Sequence, residues 1–135
     1  MRSLLHRLLH DERGSVAAEL VIATPLLLFM ILGIVQFAIW EHATHVADAV
    51  AQEGLATARL QGNTAQSGKA EAQSVLIQLG QSVLTTPEVD ATRTAATTTV
   101  IVTGHAESVI GLFSFPVRAV ASGPTETYTT AGAAP

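Results

Sequence analysis

The longest apolar run in the chain extends from Leu20 to Trp40 and contains no charged residue. At about 1.5 Å of helical rise per residue, its twenty-one residues give roughly 31 Å, close to the hydrocarbon core of a bilayer. A buried helix of a soluble protein keeps a polar stripe, whereas Gln36 and Thr24 are the polar side chains of this run. The pattern therefore predicts one transmembrane helix, with the Trp40 indole at the headgroup level.

After this run, apolar residues recur at the helical period. One face of this helix carries small apolar residues: Ala43, Val46, Ala47, Val50, Gly54 and Ala58. The opposite face carries polar residues: Glu41, His45, Asp48, Gln52 and Arg59. This predicts one continuous helix from Val16 to Leu60. A polar turn at 61–68 then precedes a second predicted helix, 69–84, with Ser67 as a candidate N-cap.

The last third of the chain changes to a β pattern. Residues 85–90 contain Pro87 and break the helical period, and 97–103 is rich in β-branched residues and predicts a strand ended by Gly104. Residues 117–122 predict its antiparallel partner. The apolar segment 107–115 is expected to pack over the core, with a contact surface as the alternative, and 123–135 has the composition of a flexible tail. The predicted fold class is α+β.

Charge sets the orientation and excludes one class of partner. The net charge is −4 and the basic residues are scattered, so the sequence lacks the basic patch of a nucleic-acid-binding protein. Arg2, Arg7 and Arg13 precede the apolar run, while acidic residues dominate after it, which places the N-terminus in the cytoplasm and the C-terminal domain outside. A cleaved secretory signal fits less well, because its apolar region is only about 7 to 15 residues long.

Two groups of residues were considered for chemistry. His42 and His45 lie beside Glu41 and Asp48, but a metal site needs three or four convergent ligands and a second shell, so hydrated side chains are the preferred interpretation. His105, Glu107 and Ser108 contain hydrolase-type side chains, but neighbours along a strand point in different directions and the chain has no nucleophile elbow. We therefore expect no enzymatic activity, no cofactor, no metal and no small-molecule substrate. The chain also lacks cysteine, which excludes disulfides.

Glu19 is unusual because a carboxylate at the start of a membrane helix costs free energy unless it has a partner or a use. One interpretation is an acid at the headgroup level, favoured by the helix dipole. The neighbouring residues suggest another: cleavage of the Gly14–Ser15 bond would make Glu19 the fifth residue of the product.

Taken together, Arg13-Gly14, the sequence SVAAE from Ser15 to Glu19, Pro25 six residues later and Gly33 eight after that resemble the N-terminal segment of the TadE-like proteins. These are pseudopilins of the tight-adherence (Flp-type) pilus system. The resemblance covers residues 13–37. Leu20 stands where the family commonly has an aromatic residue, and Gln36 where an acid is frequent, so a TadE-like assignment fits better than a major Flp pilin.

The resemblance implies a pilin-like architecture and a set of roles. A membrane-embedded prepilin peptidase would cut between Gly14 and Ser15, and Glu19 would pair with the freed amine of a neighbouring subunit to set register. Pro25 removes a backbone donor and clashes with the carbonyl of Val21, so a kink is expected there.

The implied partners are membrane lipid, the prepilin peptidase, and pilin and other pseudopilin subunits, and the implied location is the cytoplasmic (inner) membrane. The expected domains are a leader at 1–14, a transmembrane helix at 15–40, an extracytoplasmic domain at 41–122 and the tail at 123–135. An unprocessed, signal-anchored binding or sensing domain is the alternative function, and a membrane-tethered hydrolase is a third, more remote one.

Overall fold

The computed structural model describes residues 12–80, 82–111 and 113–128, with side chains from Val16 onward. Its elements are α1 (Glu12–Arg59), α2 (Ala65–Leu79), β1 (Leu84–Arg93), β2 (Thr97–Ala106) and β3 (Phe115–Pro124). The predicted α+β class is confirmed. The chain divides into two compact units, here called the anchor unit (Met1–Val35) and the sheet unit (Gln36–Pro135), and α1 contributes to both.

The anchor unit presents an apolar helix surface. Every residue from Val16 to Val35 is exposed except Leu32, which is partly buried. Over the described part of the chain, α1 is the one helix long and apolar enough to cross a membrane, and 6% of its apolar window is buried. By length and composition it is a single-pass membrane anchor.

In the sheet unit, α1 buries the face that its periodicity predicts. The six small residues named above are all buried, and four of them, Ala43, Ala47, Val50 and Ala58, are 0% exposed. The first four of the six, from Ala43 to Val50, form one core with side chains of α2 and the sheet, including Ala72, Val100 and Val102. The predicted helix, Val16 to Leu60, is confirmed with its end at Arg59.

Two glycines allow α1 and α2 to approach closely. A Cβ on Gly68 would overlap the Cβ of Ala58 and lie 2.5 Å from the carbonyl oxygen of Gly54. A Cβ on Gly54 would lie 2.8 Å from the Cβ of Ala72. Because backbone atoms cannot move away cheaply, both positions require glycine at this helix contact.

The prediction of the second helix at 69–84 is wrong at both ends. Thr64 is the N-cap: its hydroxyl accepts a hydrogen bond from the Ser67 amide at 3.1 Å, and Ser67 Oγ lies 3.4 Å from the Thr64 amide. Ser67 is therefore the third residue of a capping box rather than the cap. At the other end, the Gly80 amide donates to the Leu76 carbonyl, and Leu84 already belongs to β1.

The strands form an antiparallel sheet in the order β1-β2-β3. Val100 pairs with Ala121 and Val102 with Ala119, so alternate residues of β2 and β3 face the core. The two predicted strands are confirmed, but Gly104 lies inside β2, paired with Val117, rather than at its end.

Strand β1 was not predicted, because Pro87 appeared to interrupt the segment. Proline is tolerated on an edge strand and at irregularities of pairing. The register of β1 against β2 shifts between Thr85 and Glu88, around Pro87, and Thr86 has a φ of 48°. Gly104 of β2 lies opposite this irregularity, and a Cβ there would approach Thr85 O to 3.3 Å.

Residues after β3 contact the rest of the sheet unit. Thr125 and Glu126 donate their amides to the carbonyls of Ala96 and Arg59, and the Tyr128 amide donates to Gln61 Oε1 at 2.6 Å. Residues 129–135 of the expected tail and residues 1–11 of the expected leader lie outside the described residues. The domain boundaries therefore stay predictions.

Candidate functional site

The expected processing site lies near the start of α1. Gly14 and Ser15 are the third and fourth residues of the helix, which begins at Glu12. Glu19 follows one turn after Ser15, is exposed, and is the one charge in the sequence 16–35. The processing and register roles of these residues stay predictions.

Pro25 lies inside α1, and the helix is continuous on both sides of it. Its side chain belongs to the exposed surface of the anchor unit. The kink expected from the missing backbone donor stays a prediction.

Gln36 makes the most specific polar contact of the sheet unit. The residue is 3% exposed. Its Nε2 donates to the carbonyl of Glu107 at 3.1 Å, and its Oε1 accepts the amide of Val109 at 2.9 Å. The amide side chain therefore satisfies two backbone groups of the loop between β2 and β3, residues 107–114, and fastens that loop to α1.

Trp40, one helical turn further on, makes a second connection. Its indole Nε1 donates to the carbonyl of Pro116 at 3.2 Å, and the ring packs partly buried against the core. The Phe37 and Trp40 ring centroids lie 5.9 Å apart. Residues 36–40 of α1 thus hold both the loop and the start of β3.

The role of Gln36 is not predicted from the sequence. There, Gln36 is a polar residue in an apolar run and a departure from the family pattern, with no predicted partner. The available signal was its chemistry, since an amide among apolar residues is costly unless its donor and acceptor are both bonded. Its partners are more than seventy positions away, so the sequence did not identify them.

The family model described as TadE-like protein matches residues 14–55. This chain carries a TadE-like N-terminal segment. The resemblance predicted from the sequence is confirmed over this segment, which is about a third of the chain. No curated protein and no solved structure matches the chain.

The TadE-like segment begins at the expected scissile bond and extends into the sheet unit. It contains Gly14, Glu19, Pro25 and Gln36, and it ends at Leu55, within the buried face of α1. The second helix and the sheet lie outside the match.

His45, one of the two histidines considered as metal ligands, forms an ordinary helix-surface pair with Glu41. His45 Nε2 lies 3.1 Å from Glu41 Oε1, and both side chains are substantially exposed. Among the described residues there is no group of three or more side chains arranged to hold a metal ion.

The hydrolase-type residues have separate partners. His105 Nδ1 lies 3.4 Å from Thr86 Oγ1, whereas Ser108 Oγ accepts the amide of Gly111 at 3.1 Å. Ser108 therefore stabilises the turn of the β2–β3 loop.

Proposed function

We propose that this chain is a TadE-like minor pilin or pseudopilin, a non-enzymatic structural component of tight-adherence (Flp/type IV-like) pilus assembly. The observation that carries the proposal is the family match, which begins at Gly14 and covers the exposed apolar helix with its single charge, Glu19. The subunit is held in the cytoplasmic membrane by α1, with its N-terminus inside and its sheet unit outside.

Processing takes place at the Gly14–Ser15 bond. A peptidase binds its substrate in an extended form, so the first turn of α1 must open. The position of the bond near the start of the helix favours opening, because helix ends fray, and Gly14 adds no side chain to obstruct a narrow active site.

Assembly then uses the surface that processing leaves. The new amine on Ser15 and the Glu19 carboxylate of a neighbouring subunit carry opposite charges, and their pairing fixes the register between helices more than it adds net stability. The exposed apolar side chains from Val16 to Val35 pack against the helices of pilin and other pseudopilin subunits.

The experiment is the intact mass and N-terminal peptide of the protein from the membrane fraction of its native host. We expect a chain that begins at Ser15, and an uncleaved chain when Gly14 is replaced by valine. Gly33→Val is the matched control, because a Cβ at Gly33 meets nothing within 4 Å, and this variant should be cleaved normally.

An unmodified chain that still begins near Met1 in cells with an active peptidase contradicts the processing step. The signal-anchored binding or sensing domain would then become the better description.

A further inference from the structure

The β2–β3 loop exposes apolar side chains that the sequence analysis expected in the core. Val109 is 52% exposed and Phe113 is 61% exposed. The sheet unit has few large apolar residues, and its largest fully buried side chains are valines and a threonine. Exposed apolar surface concentrated on one segment is typical of contact with another molecule or with a membrane.

The loop backbone is fixed against one turn of α1. Gln36 bonds to residues 107 and 109, and Trp40 bonds to residue 116, as described above. The Glu107 amide also donates to the carbonyl of Val83 at 3.1 Å. The exposed side chains are therefore carried on a segment with defined ends, not on a freely moving loop.

The attachment point lies at the end of the membrane span. Residues 16–35 are twenty in number, and at about 1.5 Å per residue they give roughly 30 Å, enough to cross the hydrocarbon core alone. With residues 16–35 as the span, Gln36 lies at its outer end, one helical turn before Trp40, which the sequence predicts at the headgroup level. A loop hydrogen-bonded to Gln36 must lie at the same level.

We propose that the β2–β3 loop is a membrane-contacting element that inserts Val109 and Phe113 into the interfacial layer of the bilayer. The Phe113 and Phe115 ring centroids lie 6.4 Å apart, and the nearby Phe37 is 62% exposed. Phenylalanine is among the apolar side chains that interfacial elements bury at the boundary between headgroups and acyl chains.

The chemistry of the loop indicates how it binds lipid. Residues 107–115 contain one acid, Glu107, and no basic residue. Attraction to anionic headgroups therefore cannot drive insertion, and burial of apolar surface must do so. Contact with neutral phosphatidylcholine should be as strong as with anionic lipid and insensitive to salt.

The test uses the absence of native cysteine. Single-cysteine variants Val109→Cys and Phe113→Cys are labelled with an environment-sensitive fluorophore in the full chain, reconstituted in phosphatidylcholine vesicles. Leu60→Cys is the control, because Leu60 is 45% exposed and follows the last residue of α1, far along the helix from Gln36.

We expect emission at 109 and 113 to exceed that of the control by about twofold, with quenching by nitroxide-bearing lipid and protection from aqueous iodide. Equal iodide quenching at all three positions would overturn the proposal. A second outcome would also overturn it: at a high protein-to-lipid ratio, quenching by nitroxide-bearing lipid disappears while protection from iodide remains. A second copy of the chain, and not lipid, would then cover the loop. Membrane contact by the loop requires that α1 spans a membrane, but not that the protein acts in a pilus. A chain that is not processed at Gly14 would therefore contradict the proposed function without contradicting the membrane contact.

Discussion

The amide of Val109 donates a hydrogen bond to Oε1 of Gln36 across 73 positions of sequence. The same side chain donates to the carbonyl of Glu107, so one residue of α1 satisfies two backbone groups of the β2–β3 loop. This places a specific polar contact, made by a buried side chain, inside the TadE-like segment at the first residue of the sheet unit.

Gln36→Ala should destabilise the sheet unit, because it leaves two backbone groups without their partner. Each hydrogen bond lost has a net contribution of about 0.5–1.5 kcal/mol to stability. Chemical denaturation in detergent micelles measures the change in unfolding free energy, and hydrogen exchange at the Val109 amide should accelerate.

Gln52→Ala is the control for this prediction, since Gln52 is exposed on the same helix. Equal stability of the two variants would show that the Gln36 contact contributes nothing. Gln36→Glu should also destabilise, because a carboxylate keeps the acceptor for Val109 but cannot donate to Glu107 when ionised.

Gly68→Ala should force α1 and α2 apart. The added Cβ would overlap the Cβ of Ala58 and approach the Gly54 carbonyl, and overpacking of this kind typically costs about 1–3 kcal/mol. Denaturant unfolding of the sheet unit measures the loss. The same substitution at Gly33, where a Cβ has open space, should leave that transition unchanged. An unchanged transition for Gly68→Ala would mean that the helices separate at no cost.

Thr64→Ala should weaken the start of α2, because the hydroxyl that accepts the Ser67 amide is lost. Loss of an N-cap hydroxyl typically costs about 1 kcal/mol. Thermal unfolding followed by circular dichroism measures the effect. Thr64→Ser keeps the hydroxyl and should retain most of the stability, so equal losses in both variants would argue against capping as the cause.

Glu19→Gln should separate processing from assembly, if the proposed function holds. The change lies outside the scissile bond, so cleavage at Gly14 should continue, while loss of the carboxylate should reduce co-purification with pilin subunits. Glu53→Gln, on the exposed side of α1 in the sheet unit, is the control and should assemble normally. Normal assembly of Glu19→Gln would remove the register role from this residue.

Local pattern determined much of this protein. An uninterrupted apolar run identified the membrane helix, the 3.6-residue period identified the face of α1 from Ala43 to Ala58, and β-branched residues identified β2. The short motif from Arg13 to Gly33 identified the TadE-like segment. In each case the residues that form the pattern lie close together in the sequence, because helices, strands and processing motifs depend on neighbouring side chains.

Tertiary structure decided the rest. Pro87 appeared to break the chain, but at an edge strand the missing amide has no ladder bond to lose, so β1 passes through it. The second helix was predicted to reach Leu84, but α2 ends at Leu79, so Val83 lies in the following turn and Leu84 begins β1. Gln36 forms hydrogen bonds with backbone groups more than seventy residues away. Phe113 lies outside the core despite its apolar side chain. These outcomes depend on which distant groups come into contact when the chain folds. The type of a side chain shows whether it requires a polar or an apolar partner, but not where in the sequence that partner lies.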